Sequence, residues 1–286
     1  MFKRIERRPG TQLFQKHAGE TPAPPGETNR LPRYPLPMAR ANRWRVRVRA
    51  FRRWWHRRSV FARFAVGAAV ALFALLAPLP IIVIFALRFL PVPFTPQMAG
   101  YAITGNAVHY SWVGYDSIAP ALERAVIASE DDNFCSHHGF DWKSIDKALK
   151  AGERGKHLRG ASTISQQTAR SVFLAPIRSW VRKGAEAWLT VLMEALWPKQ
   201  RILTVYLNVV DWGHGNFGAE AAAQNYFHRA ASALTAKQAA RLATILPDPD
   251  VWKAAHPGPY VAARSATILA RMGEVARDRL DACVRR

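Results

Sequence analysis

Two cysteines, Cys135 and Cys283, are all that this 286-residue sequence contains. One pair makes at most one bridge, which excludes a disulfide-framework fold and leaves open whether the two join. CxxC and HExxH spacings are also missing, and the adjacent His137 and His138 diverge on any regular backbone. No protein-held metal is therefore expected. Acidic residues are scarce, 20 Asp and Glu against 41 Lys and Arg, for a formal charge of +21. That deficit is local. Residues 1–58 carry sixteen Lys and Arg against three acids, while from Pro91 onward 23 basic residues face 17 acidic ones. Strand-like alternation is limited to short pieces near 101–113, and there is no internal repeat.

What the sequence has in quantity is one apolar run and many amphipathic segments. Phe64 to Leu87 is 24 residues without a charge. As a helix it would reach roughly 36 Å, against a bilayer core of ~30 Å. It starts too late for a cleaved signal peptide. Before it stands RWRVRVRAFRRWWHRR (Arg43–Arg58), a positive-inside pattern with interfacial tryptophans. The expected layout is a basic, largely disordered cytoplasmic arm over 1–58, one transmembrane helix over 59–90 kinked by Pro78 and Pro80, and an all-α periplasmic domain over 91–286. The arm is explained by topology and anionic membrane lipid, so no nucleic acid is expected as a partner. Helices are predicted at 118–134, 141–151, 162–174, 180–197, 199–208, 217–228, 235–246 and 259–281.

SEDDNFCSHHGFDW (Ser129–Trp142) carries three consecutive acids. At ~100° per residue from Pro120, Leu122, Val126, Ile127 and Phe134 share one apolar arc, and Glu130 lies within it at about 280°. Asp131 and Asp132 fall on the opposite side, with Arg124. Partial burial and neighbouring acids raise a carboxylate's pKa, the condition for a general base near neutral pH. The plain alternative is a satisfied structural acid. GASTISQQTARSVFL (Gly160–Leu174) starts a helix after a Gly-rich basic loop. Ser162 or Thr163 can cap it, leaving amide groups free for an anion. Gln166 and Gln167 add neutral donors, and Arg170 follows. In Val181–Trp197, Glu186 sits at the edge of the apolar stripe between Arg182 and Lys183, as ordinary helix ion pairs or as a second carboxylate beside a cationic patch.

Five stretches, in order, resemble the family 51 glycosyltransferases, the peptidoglycan glycosyltransferases, most closely their monofunctional biosynthetic members. They are SEDDNFCSHHGFD, GASTISQQTARSVFL, RKGAEAWLTVLMEALWPKQRILTVYLN, GHGNFGAEAAAQNYF and LPDP. The resemblance implies a lysozyme-like, α-helical glycosyltransferase fold. The implied substrate is lipid II, and the implied product is a growing β-1,4 glycan strand formed with inversion at C1. It places Glu130 as catalytic base and Glu186 as the second essential glutamate. Asp131, Ser162, Gln166, Gln167, Arg170, Arg178, Arg182 and Lys183 become substrate-binding positions. Arg170 stands where the family usually has Lys, followed by Ser171 in place of Asn. A planar fork thus replaces a compact ammonium. No cofactor is implied with certainty; a Mg2+ or Mn2+ ion assisting the pyrophosphate is left open. Further partners would be other cell-wall synthesis and division proteins, at the bacterial inner membrane.

The residues also bear on the reaction directly. A glycosidase expels a sugar alkoxide and needs a second carboxylic acid to protonate it. Pyrophosphate leaves as a stabilised anion and needs cations. One inward acid followed by Arg170, Arg178, Arg182 and Lys183 favours transfer over a muramidase, and over a non-catalytic membrane scaffold. GHGNFG matches GxGxxG without a βαβ unit, and SIDK (Ser144–Lys147) matches SxxK without any KTG. With the chain closing at 286, glycan polymerisation without peptide cross-linking is expected.

Overall fold

Proline divides the apolar run. The computed structural model describes residues 39–56, 59–76, 78–153, 162–177 and 179–285. In it the basic segment forms α1 (Ala39–His56), and the run forms α2 (Val60–Leu76) and α3 (Leu79–Leu87). Pro80 sits in the first turn of α3, where a missing N–H costs nothing; inside one long helix it would break it. The single helix expected over 59–90 is therefore two helices. The 17 residues of α2 reach about 26 Å at ~1.5 Å each, short of a ~30 Å core. Among the described residues no helix is long and apolar enough to cross a membrane. Helix α1 likewise occupies part of the arm expected to be disordered, while residues 1–38 lie outside the described residues.

Two units make up the chain, Met1–Val66 and Gly67–Arg286. In the second, α3 is tied down at its C-terminal end, where helix carbonyls lack intrahelical partners. Trp197 Nε1 donates to the Ile84 carbonyl at 2.7 Å, and Arg201 Nε donates to Leu87 at 3.0 Å. Then follow α4 (Pro96–Ile103), the two-residue β1 (His109–Tyr110), α5 (Pro120–Glu130), α6 (Trp142–Glu153), α7 (Ile164–Phe173), α8 (Trp180–Leu196) and α9 (Lys199–Val209). After these come β2 (Asn216–Phe217), α10 (Ala219–Phe227), α11 (Ala236–Ile245) and α12 (Pro259–Arg277). The architecture is thus mostly helical. Of the ground read as strand-like, 101–103 ends α4 and His109–Tyr110 forms β1, while α5 closes at Glu130 instead of continuing to 134.

Helices α5, α11 and α12 pack on one another, and α7 packs on both α8 and α9. A cleft lies where the end of the first group meets α7. Strands β1 and β2 run parallel, pairing His109 with Asn216 and Tyr110 with Phe217. That pairing explains GHGNFG without a nucleotide. Gly213 (φ 88°) and Gly218 (φ 88°) lie so close to the carbonyls of Pro249 and Asn208 that a Cβ would meet them at 2.1 and 2.3 Å.

Cys135 and Cys283 are joined in a disulfide. The bond ties the segment after α5 to the segment after α12. It is reinforced by the Arg124–Asp281 ion pair at 2.9 Å and by Tyr115, whose hydroxyl donates to the Val284 carbonyl at 2.7 Å.

Candidate active site

Helix α5 begins with Pro120 at its start and buries Leu122, Ala125, Val126 and Ile127 completely. The same periodicity carries Glu130, its last residue, to the cleft, where the side chain is half-buried. Asp131 does not follow that progression. Its backbone leaves the helix (φ −163°, ψ 76°), and its carboxylate turns inward instead of toward Arg124. Only 8% exposed, it accepts from the Ile164 backbone N–H at 3.0 Å and meets His137 Nε2 at 2.9 Å. It thus serves as the anion at the N-terminus of α7, where the helix dipole favours negative charge. The reading that placed only Glu130 inward assumed a helix through 134, and it fails for this reason. Asp132 stays exposed and pairs with Arg271 at 2.6 Å.

Thr163, not Ser162, is the N-cap of α7. Its hydroxyl accepts from the Gln166 N–H at 3.2 Å, and the Gln166 side chain accepts from the Thr163 N–H at 3.0 Å. This capping box satisfies two orphan amides and removes Gln166, 6% exposed, from the cleft. Two of the amides expected to wait for an anion, those of Ile164 and Gln166, are thus taken by the chain itself, and Gln166 does not reach out as a ligand. Gln167, one residue further, does reach the cleft. Its Nε2 donates to Glu130 Oε2 at 3.0 Å, and its Oε1 accepts from the Tyr206 hydroxyl at 3.1 Å. Tyr206 is fully buried on α9.

Glu130, Gln167, Ser162 and Arg170 line one cavity of about 480 Å³, together with Trp252, Tyr260 and Arg264. Among the described residues lining it, Glu130 is the sole carboxylate. Burial pushes the Glu130 carboxyl above its ordinary value. Asp131 adds to that, while hydrogen bonds from Gln167 and Ser129 and the Arg264 charge oppose it. Arg170 and Arg264 are half-buried and make no ion pair among the described residues, although the Arg264 charge is felt at Glu130. Nothing in the local pattern points to Arg264, Trp252 or Tyr260, which come from the chain after α11, over a hundred residues downstream. Tyr206 is the one aromatic residue of α9, the only local signal that sets it apart.

Glu186 is not among the residues that line this cavity. On α8, 1% exposed, it is held by Lys183 three residues before it and by Arg182 at 3.4 Å four before it. The ion pairs expected from spacing are there, but they do not line the Glu130 cavity. Arg178 and residues 154–161 of the Gly-rich loop lie outside the described residues. Among the described residues, no three His, Cys, Asp or Glu side chains gather so as to hold a metal ion. His137 is spoken for by Asp131, with its Nδ1 buried and without a hydrogen-bond partner among the described residues.

Residues 98–273 match the family described as Transglycosylase. The biosynthetic peptidoglycan transglycosylase of Caulobacter vibrioides is 50% identical over 215 residues, 75% of this chain and 94% of that protein. Its counterpart in Rhodospirillum centenum is 48% identical over 215 residues, covering 75% and 93%. That of Pseudomonas aeruginosa is 47% identical over 204 residues, covering 69% and 88%.

Proposed function

The chain belongs to the transglycosylase family, and from that premise we propose that it polymerises lipid II into β-1,4-linked glycan, releasing polyprenyl pyrophosphate. The observation that carries this is a half-buried carboxylate, raised above its ordinary pKa, sharing a cavity with the Arg170 and Arg264 guanidinium groups. A diphosphate leaves as a stabilised anion and needs cations there more than a proton donor.

In this reading the acceptor sugar's 4-hydroxyl oxygen attacks C1 of the donor strand as Glu130 takes its proton. The new C1–O bond forms on the face opposite the leaving group, so configuration inverts. The bond from C1 to pyrophosphate breaks, and its electron pair leaves on the phosphate oxygen. Arg170 and Arg178 stabilise that charge, with Ser162 and Gln167 shaping the same wall. Glu186 holds Arg182 and Lys183 in place and takes no proton. Asp131 and Gln166 act indirectly, by fixing the start of α7. A Mg2+ or Mn2+ ion assisting the pyrophosphate is compatible with the same reading.

The same reading puts the domain outside the inner membrane and the basic arm inside. Support comes from the Arg-rich segment, the uncharged stretch, and a disulfide that needs an oxidising compartment. The span would be a broken one, α2 and α3 in series, as membrane helices tolerate where other groups meet the freed carbonyls. Val60, Phe61 and Phe64 are 80, 88 and 76% exposed, and Trp180 and Val181 on α8 are 92 and 84% exposed, as lipid contact requires. Lipid II, the growing strand and membrane lipid are then its partners, and cross-linking in cells would find other cell-wall synthesis and division proteins.

Detergent-solubilised protein with labelled lipid II tests the assignment. Wild type should yield polymer and Glu130→Gln none; undiminished polymer from the variant would place the base elsewhere.

A further inference from the structure

The cavity around Glu130 has two unlike walls. One comes from α7 and is polar and cationic, with Gln167 and Arg170. The other comes from the loop after α11 and from α12. Tyr260, Arg264 and Ile268 follow at four-residue steps along one face of α12 and all line the cavity. Trp252 stands against Tyr260, ring centroids 4.9 Å apart and planes tilted by 47°.

This aromatic pair is not core. Tyr260 is 58% exposed and Trp252 half-buried. The two rings also line a second cavity of about 320 Å³, with Lys253 and His256, so they stand as a partition between two open spaces. A half-exposed aromatic partition beside a half-buried carboxylate suits a ligand with one apolar face and a polar rim. A pyranose ring is such a ligand: its axial C–H bonds meet the negative face of an aromatic ring while its hydroxyls remain free to hydrogen-bond.

From this we infer that Trp252 and Tyr260 form the platform on which the acceptor's terminal sugar stacks, setting its 4-hydroxyl against Glu130. The inference rests on the polymerase reading and assigns the acceptor side of that site. Aromatic contact, not charge, decides which sugar lies there: each wall carries one guanidinium, Arg170 on α7 and Arg264 on α12, but only the α12 side adds ring faces. The acceptor's terminal sugar is neutral and gains from such contact, whereas the departing diphosphate does not. With the donor on α7, the α12 wall is the surface left facing the attacking hydroxyl.

The test separates the two substrates. The donor is a lipid II analogue whose terminal sugar lacks the 4-hydroxyl, and the acceptor is an analogue with a non-cleavable phosphonate at C1. Coupling of the two is single-round. Trp252→Ala should raise the KM for acceptor about tenfold, leaving donor KM and kcat within about threefold. Trp252→Phe and Tyr260→Phe should keep acceptor KM within about threefold, since each retains a ring face. An unchanged acceptor KM, or an equal rise for donor, overturns the proposal. Should Trp252→Ala fail to fold, Tyr260→Ala removes a largely exposed ring and carries the same expectation. Equilibrium dialysis of the phosphonate acceptor against Glu130→Gln, with and without Tyr260→Ala, reads the platform without turnover. Loss of coupling by wild type would sink the polymerase reading. Equal acceptor binding by both dialysis samples would sink the platform alone.

Discussion

Gln167 donates its side-chain N–H to Glu130 at 3.0 Å in an orientation that Tyr206 fixes from the far side, by donating to the Gln167 oxygen at 3.1 Å. An amide has two nearly equivalent orientations, and the wrong one would aim its oxygen at the carboxylate. Tyr206 therefore matters for which form of Glu130 is favoured, without touching substrate.

Removal of that hydroxyl alone is expected to show in the pH profile. Tyr206→Phe frees the Gln167 amide to turn, weakening the hydrogen bond that lowers the Glu130 pKa. The acid limb of kcat should move to higher pH, with a loss of about three- to tenfold near neutrality. A kcat loss with no displacement of that limb would mean Tyr206 contributes packing only.

Glu130 should also reveal itself through stability. Burial raises its folded pKa above the unfolded value, so its contribution is most favourable below the unfolded pKa and is lost as pH rises through the folded one. Glu130→Gln is expected to lose at least ~10²-fold in polymerisation. Its Tm should rise by about 2–4 °C at pH 7, the response of a domain this size to ~1 kcal/mol. Near pH 4, where the native carboxyl is protonated, the gain should vanish. Differential scanning calorimetry at the two pH values decides.

Asp131→Ala removes the acceptor of the Ile164 amide and the partner of His137, both in a buried place. A loss of about 2–3 kcal/mol follows from one helix-start bond and one buried charge-assisted bond. Urea unfolding measures it. Because the start of α7 positions Gln167, kcat should fall as well, with substrate KM little changed.

The disulfide joins positions 148 residues apart. On the chain-entropy account, closing so long a loop stabilises by about 4–5 kcal/mol. A Cys135→Ser, Cys283→Ser double variant should then melt on the order of 10 °C lower. A Tm within ~2 °C of wild type would show that the Arg124–Asp281 and Tyr115–Val284 contacts suffice.

How much of this was readable beforehand differed by residue, for physical reasons. Glu130 could be placed because α5 is regular up to that position and helical periodicity holds. Asp131, one residue on, could not, because the helix stops and its side chain answers to α7, more than thirty residues away. Gln166 and Gln167 are neighbours of one type with opposite fates, and what separates them is a capping box built on Thr163. The break between α2 and α3 was written in Pro78 and Pro80, though apolar composition argued for a single span. Trp252, Tyr260 and Arg264 carry no spacing motif; they become part of the site through the packing of α12 on α5 and α11.

Ser162, Gln167, Arg170 and the aromatic partition all sit inside the covalent ring closed by Cys135 and Cys283, while Glu130 stands just outside its knot. A protease cut anywhere within that ring would open it without shedding either piece. The two fragments would migrate as one band until a reducing agent is added, and the nicked molecule would keep both walls of its cleft attached to the helix that bears the base.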